Sequence, residues 1–396
     1  MHLSATSSMQ ASDRRVLLIA PISPPYGGMA LQAELLRRLL REDGSKVELL
    51  GHNQAFSRFK FLERIAGVRT GLRILLFCGR CWRHAKNADV VHILAASWLH
   101  FFLVVCPAIV LARLRGKRII LNYRSGGADD FLRYWAWLAR PFFHMAHFTA
   151  TPSGFLAEVI QRRIGVPVSI VPNIVNFSLF NYRQRRSFEP KMLVTRHLEE
   201  LYDVESVVRA FREVQSTYPA ASLWIAGTGS QEGKLRDRVT QWNLQNVRFL
   251  GYVDHKTLPK IYDECDILLN ASRIDNFPGS LLEASAAGLV VVSTKAGGIP
   301  FVYEHGKNAL LVEVGDWKQL GLAVERVLRD RELGGKLTHA GKDLCRQCEW
   351  QRIRPALYKL YGFNLPDGQA FAGMEGADFA LDRQAPMVHS AQKGIL

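Results

Sequence analysis

Acidic residues are scarce in this sequence. Its 396 residues include 36 Asp or Glu against 51 Lys or Arg, a formal net charge of +15. Such an excess favours an anionic partner: nucleic acid, a phosphorylated ligand or a membrane surface. Zinc-finger spacing and other nucleic-acid signatures are lacking, so no nucleic-acid partner is expected. A long uncharged apolar stretch is lacking too. The longest apolar run, Trp98 to Ala112, is interrupted by His100 and Pro107. It falls short of the ~20 residues a membrane span needs and reads as part of a buried helix over 98–114. Residues 1–14 have no apolar core and read as a tail ahead of the first strand, not as a signal peptide. The six cysteines form two CxxC pairs, Cys78/Cys81 and Cys345/Cys348, with Cys106 and Cys265 apart. The pairs lie far from each other in helical, Arg-rich sequence, so no metal is expected and buried thiols in a reducing cytoplasm are the reading. The pair Gly27-Gly28 is not GxGxxG, and no ribose-binding acid follows at the right distance. That disfavours an NAD-type enzyme.

What is present is a regular alternation of strands and helices. With 48% hydrophobic and 22% charged residues the chain has ordinary globular composition, and its length suits two domains. Arg15 to Ala20 is a continuous apolar run, the pattern of a strand buried on both faces. A glycine turn follows at Gly27 and Gly28, then a helix over Met29 to Arg41 with leucines at helical spacing. The same strand–turn–helix unit recurs to Ile164 and again from Lys191 to Tyr361. This predicts an α/β protein with two Rossmann-like, doubly wound parallel sheets. The expected boundaries are a tail at 1–14, a first domain at 15–180, a polar and basic linker at 181–190, and a second domain at 191–348. A closing helix at 349–362 and a disordered tail at 363–396 complete the chain.

The stretch Asp275 to Pro300 organises the second half. Asp275 and Glu283 stand eight positions apart, with Pro278 and Gly279 between them. Pro278 suits the first turn of a helix, and Gly288 suits its C′ position. The N–H groups of Gly279, Ser280 and Leu281 then form an anion site with a carboxylate on each side. A nucleotide sugar, with a diphosphate between two sets of hydroxyls, has that layout.

The stretch resembles the signature of retaining GT-B glycosyltransferases of the family-4 type: acid, seven residues, Glu, small-residue helix, apolar strand, GGIP. Asp275 stands where most such proteins have Glu. The resemblance implies two domains facing a central cleft, with the last helix returning to the first domain. It also implies a hexosyltransferase that moves a sugar from a nucleotide-sugar donor to a glycan or lipid-linked acceptor, without a cofactor or divalent metal. Glu283 is implied to hold the ribose hydroxyls, Asp275 the donor-sugar hydroxyls, and Arg196 the charge growing on the diphosphate. The implied donor-binding set adds Gly27, Gly28, Arg124, Gly227, Tyr252, Asn276, Gly279, Ser280 and Leu281. Two departures stand out. Arg124 occupies the turn where the family places a His, and Leu201-Tyr202 stands where a phosphate-binding Lys is usual. His197 or Lys295 is a substitute donor. These departures motivate the alternative of a catalytically inactive relative that binds nucleotide or a partner protein.

Residues 56–86 are basic and amphipathic, with Arg69, Arg73, Arg80 and Arg83 on one helical face and Glu63 the single acid. Leu72, Leu75, Leu76 and Phe77 fall on other faces among apolar neighbours. Together with the aromatic stretch Tyr134 to Phe148, this suits an anionic membrane surface as a partner. The expected location is cytoplasmic, with a peripheral position on the inner face of the plasma membrane. A plain solvated helix face is the alternative, and a pure membrane scaffold leaves the acid constellation unexplained.

Overall fold

A computed structural model describes residues 14–22, 27–53 and 66–365. The two tails and part of the basic segment (54–65) lie outside the described residues. The chain divides into two units. Among the described residues, the first contains those up to 182, 276–287 and 342–365; the second contains 183–275 and 288–341.

The first unit is built on β1 (Arg15–Ala20), α1 (Gly28–Glu42), β2 (Lys46–Gly51), α2 (Ala66–Asn87) and β3 (Val90–Ala95). A single π-helical turn (Phe101–Val105) then leads into α3 (Cys106–Leu114), β4 (Arg118–Tyr123), α4 (Ala128–Met145), β5 (Phe148–Thr151), α5 (Gly154–Ile164) and β6 (Val168–Ile170). Its six strands are parallel in the order β2-β1-β3-β4-β5-β6. β3 is buried at every position, so its VVHILA sequence is apolar on both faces apart from His92.

The second unit follows with β7 (Lys191–Thr195), α6 (Val204–Thr217), β8 (Ser222–Ala226), α7 (Glu232–Gln241), β9 (Val247–Gly251), α8 (Leu258–Glu264) and β10 (Ile267–Asn270). The chain then runs through α9 (Gly279–Ala286), which is part of the first unit, β11 (Val290–Thr294), β12 (Leu310–Val312), α10 (Trp317–Arg329), α11 (Arg331–Gln347) and, again in the first unit, α12 (Trp350–Tyr361). The parallel order of the second unit is β12-β11-β10-β7-β8-β9. The chain winds one way from β7 to β9, returns to the middle, and winds the other way from β10. The direction therefore reverses between β7 and β10, and a doubly wound sheet opens a crevice at the carboxyl ends of such a pair.

Both α9 and α12 belong to the first unit, so the expected return of the last helix is observed. Asp43, which ends α1, anchors α12 by accepting from Trp350 Nε1 (3.0 Å) and Tyr358 OH (3.1 Å). Tyr361 reaches the core, where its hydroxyl meets His92 Nδ1 at 2.6 Å. The segment read as a linker is well packed where it enters the second unit. The buried Arg185 and the half-exposed Arg183 both bond Asp266 at the start of β10.

Two expectations fail in the first unit. Residues 98–114 are not one buried helix. Trp98 has a left-handed backbone (φ 62°), a π turn follows, and Leu99 and Leu114 at the two ends are exposed. Pro107 has no N–H for the carbonyl of residue 103, and its ring crowds that carbonyl. The wider turn ahead of it relieves the clash. In α2 the apolar residues do not all find apolar neighbours: Phe77 is buried, but Leu75 and Leu76 point to solvent.

Candidate active site

The site begins where β7 ends. Thr195 closes the strand and Arg196 follows it, at the crevice defined by the switch from β7 to β10. The turn is shaped by Gly227, which follows β8. A Cβ on Gly227 would lie 1.9 Å from the Arg196 carbonyl oxygen, so only glycine allows the two loops to approach. β10 supplies Asn270, buried at the last position of an otherwise apolar strand. The loop after β10 supplies Asp275.

These three side chains meet. Arg196 donates from Nε to Asn270 Oδ1 at 2.9 Å and from a terminal nitrogen to Asp275 Oδ2. The side chains of Arg196 and Asp275 are only 13% and 12% exposed. Asn270 is fixed in turn: Ser272 Oγ donates to its Oδ1 at 2.8 Å, and its Nδ2 donates to Ser293 Oγ at 2.9 Å. Two donors on Oδ1 and one acceptor on Nδ2 decide which way the amide points. The GGIP turn closes round Asp275 from the other side. Gly298 N–H donates to the Asp275 carbonyl at 3.0 Å, and a Cβ on Gly297 (φ 50°) would sit 2.2 Å from that same oxygen.

Tyr202 stands where the resembled pattern has a lysine. It presents its ring to Arg196, 5.3 Å from guanidinium carbon to ring centre. Burial pushes its hydroxyl pKa up, so it remains a neutral phenol beside the cation. Of the substitute donors, Lys295 is paired with Glu313 at 2.6 Å, and His197 is exposed next to Arg196. Tyr252 is exposed just after β9.

The remaining predicted residues lie in the first unit, because the boundary between units falls between Asp275 and Asn276. Asn276 is buried and accepts from Ser153 Oγ, at the N-cap of α5. Asn173 Nδ2 donates to the Phe277 carbonyl at 2.8 Å, and Arg124 donates to Asn173 Oδ1. Arg124 is thus engaged in holding the segment that leads into α9, and burial lowers its pKa to about 10. α9 starts at Gly279 with Pro278 as its N-cap, and no acid sits in its first turn. Leu281 is buried, while Glu283 is partly exposed one turn further in. Gly288 follows the helix with φ 81°, as its spacing predicts. Gly27 caps α1, and a side chain at either Gly27 or Gly28 would meet nothing within 4 Å.

Sequence reasoning missed Asn270, Ser272, Ser293 and the role of Tyr202. A polar residue at the end of the apolar run Ile267 to Leu269 was the available signal. All six cysteines are free, and burial raises the thiol pKa of Cys81, Cys106, Cys265 and Cys348 to about 12. Among the described residues, no group of three or more His, Cys, Asp or Glu could hold a metal ion. No described helix is long and apolar enough to cross a membrane.

The topology and the crevice at β7 and β10 define a two-domain, Rossmann-like GT-B protein, and comparison with known proteins agrees. The chain matches a solved structure of HepE from Anabaena, in complex with UDP and glucose, with a TM-score of 0.67 and 16% identity over 88% of this chain and 99% of that one. Sucrose-phosphate synthase from Thermosynechococcus elongatus matches with a TM-score of 0.70 and 18% identity over 88% and 98%. Residues 26–179 match the model for Glycosyltransferase Family 4, and residues 180–344 match that for Glycosyl transferases group 1. Glycogen synthase from Mycobacterium tuberculosis is 25% identical over 315 residues, 75% of this chain and 73% of the relative. The chain belongs to the group 1 glycosyltransferases and is a transferase enzyme.

Proposed function

We propose that this enzyme takes a sugar from a nucleoside diphosphate sugar and passes it, with retention of configuration, to a glycan or lipid-linked acceptor in cell-surface polysaccharide or glycolipid synthesis. The observation that carries the reading is Arg196. It sits at the carboxyl end of β7, at the switch point, with its guanidinium fixed by Asn270 and Asp275. A planar guanidinium suits bidentate phosphate contact. The Anabaena structure with UDP and glucose supports the donor class.

In this reading the bond from the sugar's anomeric carbon to the diphosphate oxygen breaks, and Arg196 stabilises the charge that develops on that oxygen. The acceptor hydroxyl attacks from the same face and gives its proton to the leaving phosphate. Asp275 contacts the sugar hydroxyls, and Glu283 contacts the ribose. The backbone of Gly279, Ser280 and Leu281 meets phosphate and sugar. No step uses a divalent metal or a cofactor. The second reading, an inactive nucleotide-binding relative, is favoured by Tyr202 in place of the lysine and by the engagement of Arg124 with Asn173.

A thermal-shift screen of purified protein against nucleotide sugars tests the donor. A ligand at a hundred times its Kd adds about 2.7 kcal/mol. Transfer and donor hydrolysis are then assayed with the stabilising donor. Glu283→Ala is expected to weaken nucleotide binding by ~10-fold or more, the scale of losing a charged hydrogen-bond partner. Stabilisation without transfer or hydrolysis selects the inactive reading; no stabilisation by any nucleotide sugar overturns both.

A further inference from the structure

The first unit carries a surface that the transfer chemistry does not use. It is formed by α2, the 98–114 segment and α4, which pack side by side on one face of the sheet. The middle segment has the composition of a core helix and buries one face, with Phe101, Val105, Ile109 and Ala112, but its other face is left uncovered. Leu99, Leu103, Pro107, Val110 and Leu114 follow one another along it with no charge among them. Leu99 and Leu114 at its ends are 73% and 70% exposed, and the three between are partly exposed. On one side α2 contributes Leu75 (71% exposed), Leu76 and Trp82; on the other α4 contributes Tyr134, Trp135 and Trp137 (72% exposed). The rings connect across the helices: Trp135 lies 5.6 Å from Phe102, and Trp98 lies 5.7 Å from Phe131. Trp98 is half exposed although its backbone is held in the left-handed region, a conformation that costs a bulky residue energy and persists where the surroundings impose it. Isolated exposed apolar residues are ordinary, but a connected face of leucines and tryptophans marks an interaction site.

The charge around this face identifies its partner. α2 holds Arg69, Arg73, Arg80, Arg83 and Lys86 and no acid, and the 98–117 segment adds Arg113, Arg115 and Lys117, also with no acid. Arg115 stacks on Trp82 at 3.5 Å, so a cation and an aromatic ring are presented together. On α4, Asp129 is neutralised by Arg162 and Arg163 of α5, each at 3.0 Å. Tryptophan and leucine beside two basic, acid-free elements match the interface of an anionic bilayer, where aromatic rings sit at headgroup level and basic groups meet lipid phosphate. From this arrangement we infer that the α2–α3–α4 face docks peripherally on an anionic membrane, with Leu99 and Trp137 entering the headgroup boundary. The inference concerns a surface apart from the donor site and stands whether or not the reading of that site holds.

Full-length protein is sedimented with vesicles of phosphatidylcholine alone and of phosphatidylcholine with phosphatidylglycerol, at low and high salt. Binding is expected for the anionic vesicles only, weakening as salt rises. Leu99→Glu and Trp137→Glu change exposed side chains, so folding and donor turnover with a water-soluble acceptor should be retained. Each is expected to weaken vesicle binding by about tenfold or more. Arg83→Glu should lower binding at low salt and have little effect at high salt. Absence of binding to the anionic vesicles, or unchanged binding by both Glu variants, overturns the inference. So does a dimer in light scattering that the same variants dissociate while vesicles are not bound, since the face is then covered by a second copy.

Discussion

Arg196 and Asp275 are each other's counter-ion in a site almost closed to water. A diphosphate that reaches Arg196 therefore meets a cation already engaged by a carboxylate. Asp275→Asn removes that competition and leaves a nearly isosteric group. Breaking a buried pair from one side leaves the other charge uncompensated. The variant should be less stable than the parent without nucleotide and should bind UDP more tightly, by about tenfold for a gain near 1.4 kcal/mol. Transfer should fall by ~10²-fold, since the carboxylate contact to the sugar proposed for Asp275 is lost. Calorimetric titration with UDP and single-turnover transfer separate the two effects. Weaker UDP binding by Asp275→Asn would remove the competition between carboxylate and diphosphate.

Gly227 and Gly297 hold the peptides on which that pair depends. An added Cβ would meet the Arg196 carbonyl at 1.9 Å and the Asp275 carbonyl at 2.2 Å, both backbone atoms that cannot swing aside. Gly227→Ala and Gly297→Ala should each cost more than ~1 kcal/mol in urea unfolding and lower transfer. Gly233→Ala is the control: the residue lies in the first turn of α7, and its Cβ would meet nothing within 4 Å. Replacing that helical glycine should stabilise by ~0.5–1 kcal/mol. Equal effects at all three positions would mean that the close approaches do not matter.

The repeating fold was legible because each strand is an apolar run and each helix a leucine-rich stripe. Val290 to Thr294 and Arg15 to Ala20 need only local sequence to be read. Asp275 and the GGIP turn were legible as a motif. Their mutual packing was not, since the contact between Gly297 and the Asp275 carbonyl depends on loop geometry that spacing does not encode. Asn270 was missed for a related reason: at the end of a buried strand a single polar residue reads as an irregularity until β7 is known to lie beside it. The 98–114 segment, read as buried throughout, buries only one face, with Ile109 and Ala112 in the core and Leu99 and Leu114 exposed; composition reports hydrophobicity and not which side of the sheet's helix layer meets solvent.

Acid should weaken the first unit before it weakens the second. His92 and His52 are held neutral by burial, reinforced by Arg124 and His100 respectively, with pKa values of about 3 and about 4. In the unfolded chain both titrate near 6.5, so below that pH the unfolded state takes up protons that the native state refuses. Stability must then fall as pH drops, by up to about 1.4 kcal/mol per pH unit for each histidine. Glu205 in the second unit follows the same sign but in a more acidic window. Its pKa is lowered to about 2, the Lys234 hydrogen bond outweighing the opposing burial, so its contribution persists until pH falls below ~4.5. Urea unfolding at pH 7.5 and 5.5 should show a loss in the parent that is smaller in His52→Gln. A flat profile over that interval would contradict the neutral burial of these rings.

Asn270 should act on transfer through Arg196 without touching the donor. Its Oδ1 receives Arg196 Nε, and Ser272 and Ser293 fix its amide, so the chain Ser293–Asn270–Arg196 sets where the guanidinium points. Asn270→Leu keeps the volume but removes the acceptor, leaving Arg196 to be oriented by Asp275 and the Tyr202 ring. A misplaced stabilising group costs mainly in the transition state, so kcat should fall by ~10²-fold while KM for the donor changes little. Ser293→Ala loosens the anchor without removing the acceptor and should cost only a few-fold. Because both act on one guanidinium, the double variant should be no slower than Asn270→Leu alone. Additive losses, or a rise in KM equal to the fall in kcat/KM, would show that Asn270 supports the fold or binds the donor directly and does not position Arg196.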